Sequence, residues 1–184
     1  GRVLGGCSSI NGMIYMRGQR ADYDGWAALG NTGWGWDDLL PLYKGMENHH
    51  GGESEFHGAG GEWNVERVRL SWEILDSFRE AAAQAGIQPV NDFNAGDNEG
   101  SDYFEVNQRE GWRWNTSKAF LRPIKHRRNL TVLTHAHTTR LVFEGKRVTG
   151  VEFLKDGHKQ IARAHTEVVM AAGSIGTPQI MQAS

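Results

Sequence analysis

The sequence predicts a mixed α/β chain, and three observations carry that reading. Trp72, Leu75, Phe78, Ala82 and Ala85 recur at spacings of three and four, which predicts a helix opened by Ser71 and ended by Gly86. From Leu130 the period falls to two. Leu130–Thr134, Arg140–Glu144, Val148–Leu154 and Gln160–Arg163 read as short strands of a β-meander, with Gly145 and Asp156-Gly157 as turns. Glu167 to Ala172 then forms an apolar run suited to a buried parallel strand. Gly173 follows, and then a helix with Thr177 as N-cap and Pro178 at its first position.

Composition narrows the function classes. With 184 residues the chain is one domain or pieces of two, and 39% hydrophobic with 23% charged residues are globular values. A net charge of −2 gives no basis for binding nucleic acid or an anionic membrane. No apolar run approaches the roughly 20 residues of a membrane span. A lone cysteine, Cys7, excludes an internal disulfide and points to a reducing compartment, hence a cytoplasmic location. The 24 glycines suggest many tight turns or a cofactor cradle, being about double the ~7% typical of soluble proteins. Residue 1 is not methionine, and the final residues stop inside a predicted helix, so an internal fragment of a longer protein is expected.

The opening stretch, Gly1 to Gly18, holds five glycines, two serines and an asparagine among apolar residues. Such a backbone can lie against a ligand and aim its N–H groups at it. Gly1 to Gly6 has the glycine spacing of a P-loop, but Cys7-Ser8 stands where Lys-Ser/Thr is required, which excludes a triphosphate site. On pattern alone the stretch also suits a buried turn between a strand and a helix.

Arg17 to Trp36 has no sustained period and reads as a loop. Asp37 is the predicted N-cap of a helix through Tyr43, with Pro41 near enough to its start to be tolerated. His49 to Gly61 reads as an exposed loop. Its histidines, His49, His50 and His57, lack a carboxylate or cysteine at ligand spacing, so no metal is expected. Asp92 to Gly100 invites a calcium reading, but Tyr103 stands where an acidic twelfth ligand is needed, and a turn-rich loop is the better reading. Gly111 to Pro123 sets two tryptophans beside two arginines, which suits a loop packed on the core or an aromatic and cationic pocket lining. Lys125 to Arg128 reads as a solvated connection. The Trp72–Ala85 stripe is read as packing.

The opening stretch is similar, nearly residue for residue, to the first signature of the glucose-methanol-choline (GMC) flavin oxidoreductases, G-R-x-x-G-G-[SC]-S-x-x-N-G. Ala171 to Met181, A-A-G-S-I-G-T-P-Q-I-M, resembles their second signature. Between the two, Ala21 to Trp26, Leu40 to Lys44, Phe56-His57-Gly58, Leu121-Arg122-Pro123 and Thr149 to Glu152 resemble the choline-dehydrogenase-like branch. The resemblance implies an FAD-binding Rossmann-like domain with an inserted β-meander, plus a substrate-binding domain, both incomplete here. It divides the chain into an FAD-contacting segment, 1–20, an intervening segment, 21–128, partly substrate domain and cap loops, and 129–184, the meander with the return strand and helix of the FAD domain.

The implied activity is oxidation of the CH–OH group of a choline-like or other primary alcohol. Hydride passes to flavin N5, and the electrons go on to a non-oxygen acceptor such as a quinone. An alcohol oxidase and a non-redox FAD-containing lyase of the same family are the alternatives. By likeness, Val3 and Asn11-Gly12-Met13-Ile14 lie along the flavin and its pyrophosphate, with Cys7 in the turn beside them. Thr138 matches a main-chain contact to the adenine, and Ala172 and Gly173 match small residues near the adenosine. Fixed backbone N–H groups beside the ring would stabilise the negative charge that arrives with a hydride. The family's proton-transferring residues are expected downstream of Ser184, so His135, His137, His158 and His165 are given structural or surface roles. Relatives that tether FAD through this motif carry histidine immediately before the motif asparagine. Ile10 holds that place, which implies non-covalent FAD.

Overall fold

The computed structural model describes residues 1–184 as two compact units, Gly1–Arg127 and Arg128–Ser184. In the first unit the glycine-rich opening coils into a 3-10 turn, Gly6–Ser9, and is followed by helices α1 (Arg20–Ala28) and α2 (Trp36–Met46). Strand β2 (Trp63–Arg67) is the middle of a small sheet, flanked by β1 (Glu47–His49) in parallel and β3 (Glu105–Val106) antiparallel. Helix α3 (Glu73–Gln84) lies between β2 and β3 in the chain. Strands β4 (Gln108–Arg109) and β5 (Trp112–Arg113) form a hairpin, turned by Glu110 and Gly111 at φ 55° and 82°. A π-helical turn, Ser117–Leu121, and a 3-10 turn, Arg122–Ile124, complete the unit.

Helix α1 replaces the loop expected over Arg17 to Trp36. It buries only Tyr23, so no apolar period marks it. Its start is fixed instead by capping, because the Gln19 N–H donates to Asp22 Oδ2 at 2.8 Å. Helix α2 begins before the expected Asp37. Asp38 accepts from the Gly35 N–H at 3.2 Å and Asp24 from the Trp36 N–H at 3.0 Å. Asp37 sits in the first turn, paired with Arg20 at 2.9 Å. Tyr23 packs with Trp36 and Tyr43 at ring separations of 5.8 and 6.0 Å, giving the two helices a shared aromatic core.

Helix α3 forms where its stripe predicts, and Gly86 follows it at φ 91°. The packing role of that stripe is corrected, however. Ala82 is buried, but Trp72, Leu75 and Phe78 are 60%, 42% and 67% exposed, because no element of this unit covers them.

The second unit is a three-stranded antiparallel meander of β6 (His137–Glu144), β7 (Arg147–Lys155) and β8 (His158–Arg163), with Leu141 and Phe153 buried. Helix α4 (Gly173–Gln182) packs beside β6, where Ser184 Oγ accepts from the Leu141 N–H at 2.7 Å. Leu130–Thr134 is not a strand. Nor is Glu167–Ala172 a buried one: Val169 is 78% exposed. A strand needs neighbours for its N–H and C=O groups, and the meander pairs only with itself. Helix α4 starts at Gly173 rather than after Thr177. Thr177 and Pro178 lie inside it, and Thr177 Oγ1 reaches back to accept from the Ala172 N–H at 3.1 Å.

Candidate cofactor cradle

Two glycines shape the opening turn. Gly5 and Gly6 hold φ 93° and 53°, and a Cβ on Gly5 would lie 2.5 Å from Ser9 Oγ. Residues some hundred positions later stitch this turn in place. Asn115 Nδ2 donates to Ser9 Oγ at 2.9 Å, the Thr116 N–H to Ser8 Oγ at 3.0 Å, and Thr116 Oγ1 to Gly5 O at 3.2 Å. Arg113 Nη1 donates to Ser8 O at 3.1 Å and to Asn11 Oδ1 at 2.9 Å. The exit of the segment is tied to β3 and the residue after it. Met13 O accepts from the Asn107 N–H at 2.8 Å, and the Tyr15 N–H donates to Glu105 O at 2.9 Å.

Between these ties the segment faces outward. Val3, Ile10 and Ile14 are 55%, 66% and 50% exposed. The backbone N–H groups of Val3, Gly12 and Ile14 find no acceptor within the chain. A Cβ built on Gly12 would meet nothing within 4 Å, and its φ lies outside the left-handed region. Apolar side chains beside bare, donating backbone suit a flat aromatic ligand with acceptors along its edge.

All 184 residues match the family profile described as GMC oxidoreductase. The chain belongs to the GMC oxidoreductase family. Relatives of this GMC chain include the oxygen-dependent choline dehydrogenase of Sinorhizobium medicae (strain WSM419), 39% identical over 184 residues, all of this chain and 33% of that protein. The alcohol dehydrogenase [acceptor] of Pseudomonas putida is 36% identical over 187 residues, covering 100% of this chain and 34% of the relative. Among solved structures, pyridoxine 4-oxidase from Mesorbium loti superposes with a TM-score of 0.83 at 32% identity, over 89% of this chain and 33% of that one. An FAD-dependent oxidoreductase from Chaetomium thermophilum gives 0.89 at 28% identity, over 95% and 33%. The GMC chain thus spans about a third of the length of the relatives it matches.

The residues expected at the cofactor fall into two groups. Val3, Cys7, Asn11, Gly12, Met13 and Ile14 lie in the first unit on or beside the outward-facing segment, and Cys7 is exposed. Thr138 in β6, opposite Phe153, and Ala172 with Gly173 at the start of α4 lie in the second. Gly173 holds φ 88°, with open space where a Cβ would be. Sequence reasoning missed Arg113, Asn115 and Thr116. Their only signal was a tryptophan- and arginine-rich loop, and nothing in spacing links that loop to residues 5–11.

A second cluster corrects the exposed-loop reading of His49 to Gly61. His57 is buried, with Nδ1 at 3.1 Å from Glu47 Oε1 and Nε2 at 2.8 Å from Asp92 Oδ2. Glu47 is fully buried and also pairs with Arg17 at 2.9 Å. His49 and His50 each place Nε2 2.8 Å from Glu105 Oε1. The carboxylates absent at ligand spacing are therefore supplied by distant residues. Because His49 Nδ1 accepts from the Gly51 N–H at 3.1 Å, its Nε2 carries the proton given to Glu105. These ring nitrogens act as hydrogen-bond donors.

Burial alone would depress the His57 pKa, but hydrogen bonds to Asp92 and Glu47 outweigh it and raise the value to about 9 from 6.5. A raised cation contributes fully below its unfolded value and is lost as pH rises through the folded one. This is on the order of 3 kcal/mol. Thermal denaturation of the full-length protein should therefore show stability falling between about pH 6.5 and about pH 9. In a His57→Gln variant that slope should flatten, and an unchanged slope would contradict the pairing.

Proposed function

We propose that the full-length protein is an FAD-dependent oxidoreductase acting on the CH–OH group of a choline-like or other primary alcohol, and that this chain contributes its flavin cradle. The observation that carries the reading is the outward-facing segment from Val3 to Ile14, with its unpaired donors and the open face of Gly12. The names of the relatives, choline dehydrogenase and alcohol dehydrogenase, supply the substrate class. When bound, FAD supplies an acceptor for the hydride leaving the alcohol carbon. Gly12 leaves room for a ligand to approach the backbone. The N–H groups of Val3, Gly12 and Ile14 would hold the flavin by donating to it, and Val3, Ile10 and Ile14 would exclude water beside it. Thr138, Ala172 and Gly173 would hold the adenosine end. On this reading 1–20 and 129–184 belong to the FAD domain, and 21–128 carries part of the substrate domain. The relatives' names divide between oxygen and another acceptor. We favour a non-oxygen acceptor, which oxygen consumption during turnover would overturn.

The FAD is held without a covalent bond, because Ile10 precedes Asn11 and an aliphatic side chain cannot bond the flavin's 8α carbon. Acid precipitation of the full-length holoprotein should release free FAD to the supernatant. Yellow colour retained in the washed pellet would contradict this.

A further inference from the structure

We infer that Arg113 is a positioning residue that locks the Asn11 carboxamide in one orientation, so that the cradle offers its cofactor an amide donor and not an acceptor. The inference rests on the proposed cradle. Two donors converge on a single atom of Asn11: Arg113 Nη1 at 2.9 Å and the Met13 N–H at 3.1 Å. An atom that takes two N–H donors is the carbonyl oxygen, which settles the amide's orientation on chemical grounds. Oδ1 is thereby taken up by two donors, while Nδ2, on an exposed residue, has no acceptor in the chain.

Arg113 is itself held. It donates to Ser8 O at 3.1 Å, and its own carbonyl accepts from Lys118 Nζ at 2.6 Å. The guanidinium therefore bridges the hairpin of β4 and β5 to both ends of the Ser8–Asn11 turn. A flipped carboxamide would set an NH2 against the guanidinium and the Met13 N–H, two donors facing a third. That arrangement loses both hydrogen bonds and gains none in return. The partner chemistry follows: beside Asn11 the cofactor must present an acceptor, a ring carbonyl, ring nitrogen or phosphate oxygen. The charge-assisted bond from Arg113 also polarises the amide and strengthens the outward donor.

The test is FAD affinity of full-length apoprotein, followed by flavin fluorescence, for the wild type, Asn11→Ala, Asn11→Asp, Arg113→Met and the Asn11→Ala/Arg113→Met pair. Asn11→Asp keeps acceptor oxygens for Arg113 and Met13 but has no donor to offer, and should weaken FAD binding as much as Asn11→Ala. Each single variant should lose about tenfold in affinity. The double variant should bind within about threefold of Asn11→Ala, because Arg113 acts through Asn11. Multiplying losses, or an Arg113→Met variant with normal affinity, would overturn the positioning role. An Asn11→Asp variant that binds like the wild type would overturn the donor assignment, and does so even if Arg113→Met fails to fold. Normal affinity in Asn11→Ala would instead remove Asn11 from the cofactor face and count against the cradle itself.

Discussion

Gly12→Val, made in the full-length protein, is expected to fold normally and to lose FAD. The two halves of that expectation come from separate facts. A Cβ at Gly12 meets no atom within 4 Å beyond its two chain neighbours, and its φ lies outside the left-handed region. The fold therefore has no reason to object. The branched side chain would project into the space beside the unpaired N–H of Gly12, holding a flat ring away from the donors that should receive it. Forcing an extra side chain into a close contact costs about 1–3 kcal/mol, which is roughly five- to 150-fold in affinity. Flavin content per folded protein, with the denaturation midpoint as control, is the measurement. Wild-type occupancy in a folded variant would remove Gly12 from the cofactor face.

Glu47→Ala should destabilise the protein strongly. Glu47 is 0% exposed and accepts from Arg17, from His57 and from the Gly58 N–H at 2.8 Å. Arg17, 4% exposed, would be left buried beside a cationic imidazole with no counter-charge between them. Removing one partner of a buried pair costs about 3–5 kcal/mol. That is a large part of the roughly 5–15 kcal/mol a domain has. Urea unfolding of the holoprotein should register the loss, and a change under about 1 kcal/mol would contradict the network.

Much of this was legible in the chain, and the failures have one physical pattern. Helix α3 and the strands of the meander carry their own periodicity and turn residues, so they were predicted where they lie. Helix α1 escaped because it buries one side chain and is fixed by a hydrogen bond from Gln19 to Asp22. Leu130–Thr134 and Glu167–Ala172 have strand-like composition, but a strand exists only through its neighbours, and this chain supplies none. The exposed face of Trp72, Leu75 and Phe78 has the same origin: an apolar stripe states that it wants cover, not what covers it. In the site, the glycine-rich segment announced itself through a long signature. Arg113 did not, because its partners Ser8 and Asn11 are joined to it only by the fold. His57 reads as an exposed loop residue because Glu47 and Asp92, which bury and pair it, reach it only through the fold.

Choline or a related primary alcohol, added to the full-length holoprotein without oxygen, should bleach the visible absorption of the oxidised flavin, and an added electron acceptor should restore it. A flavin that chemical reductant bleaches but no such alcohol does would contradict the assignment, leaving FAD as a structural group in a protein of other chemistry.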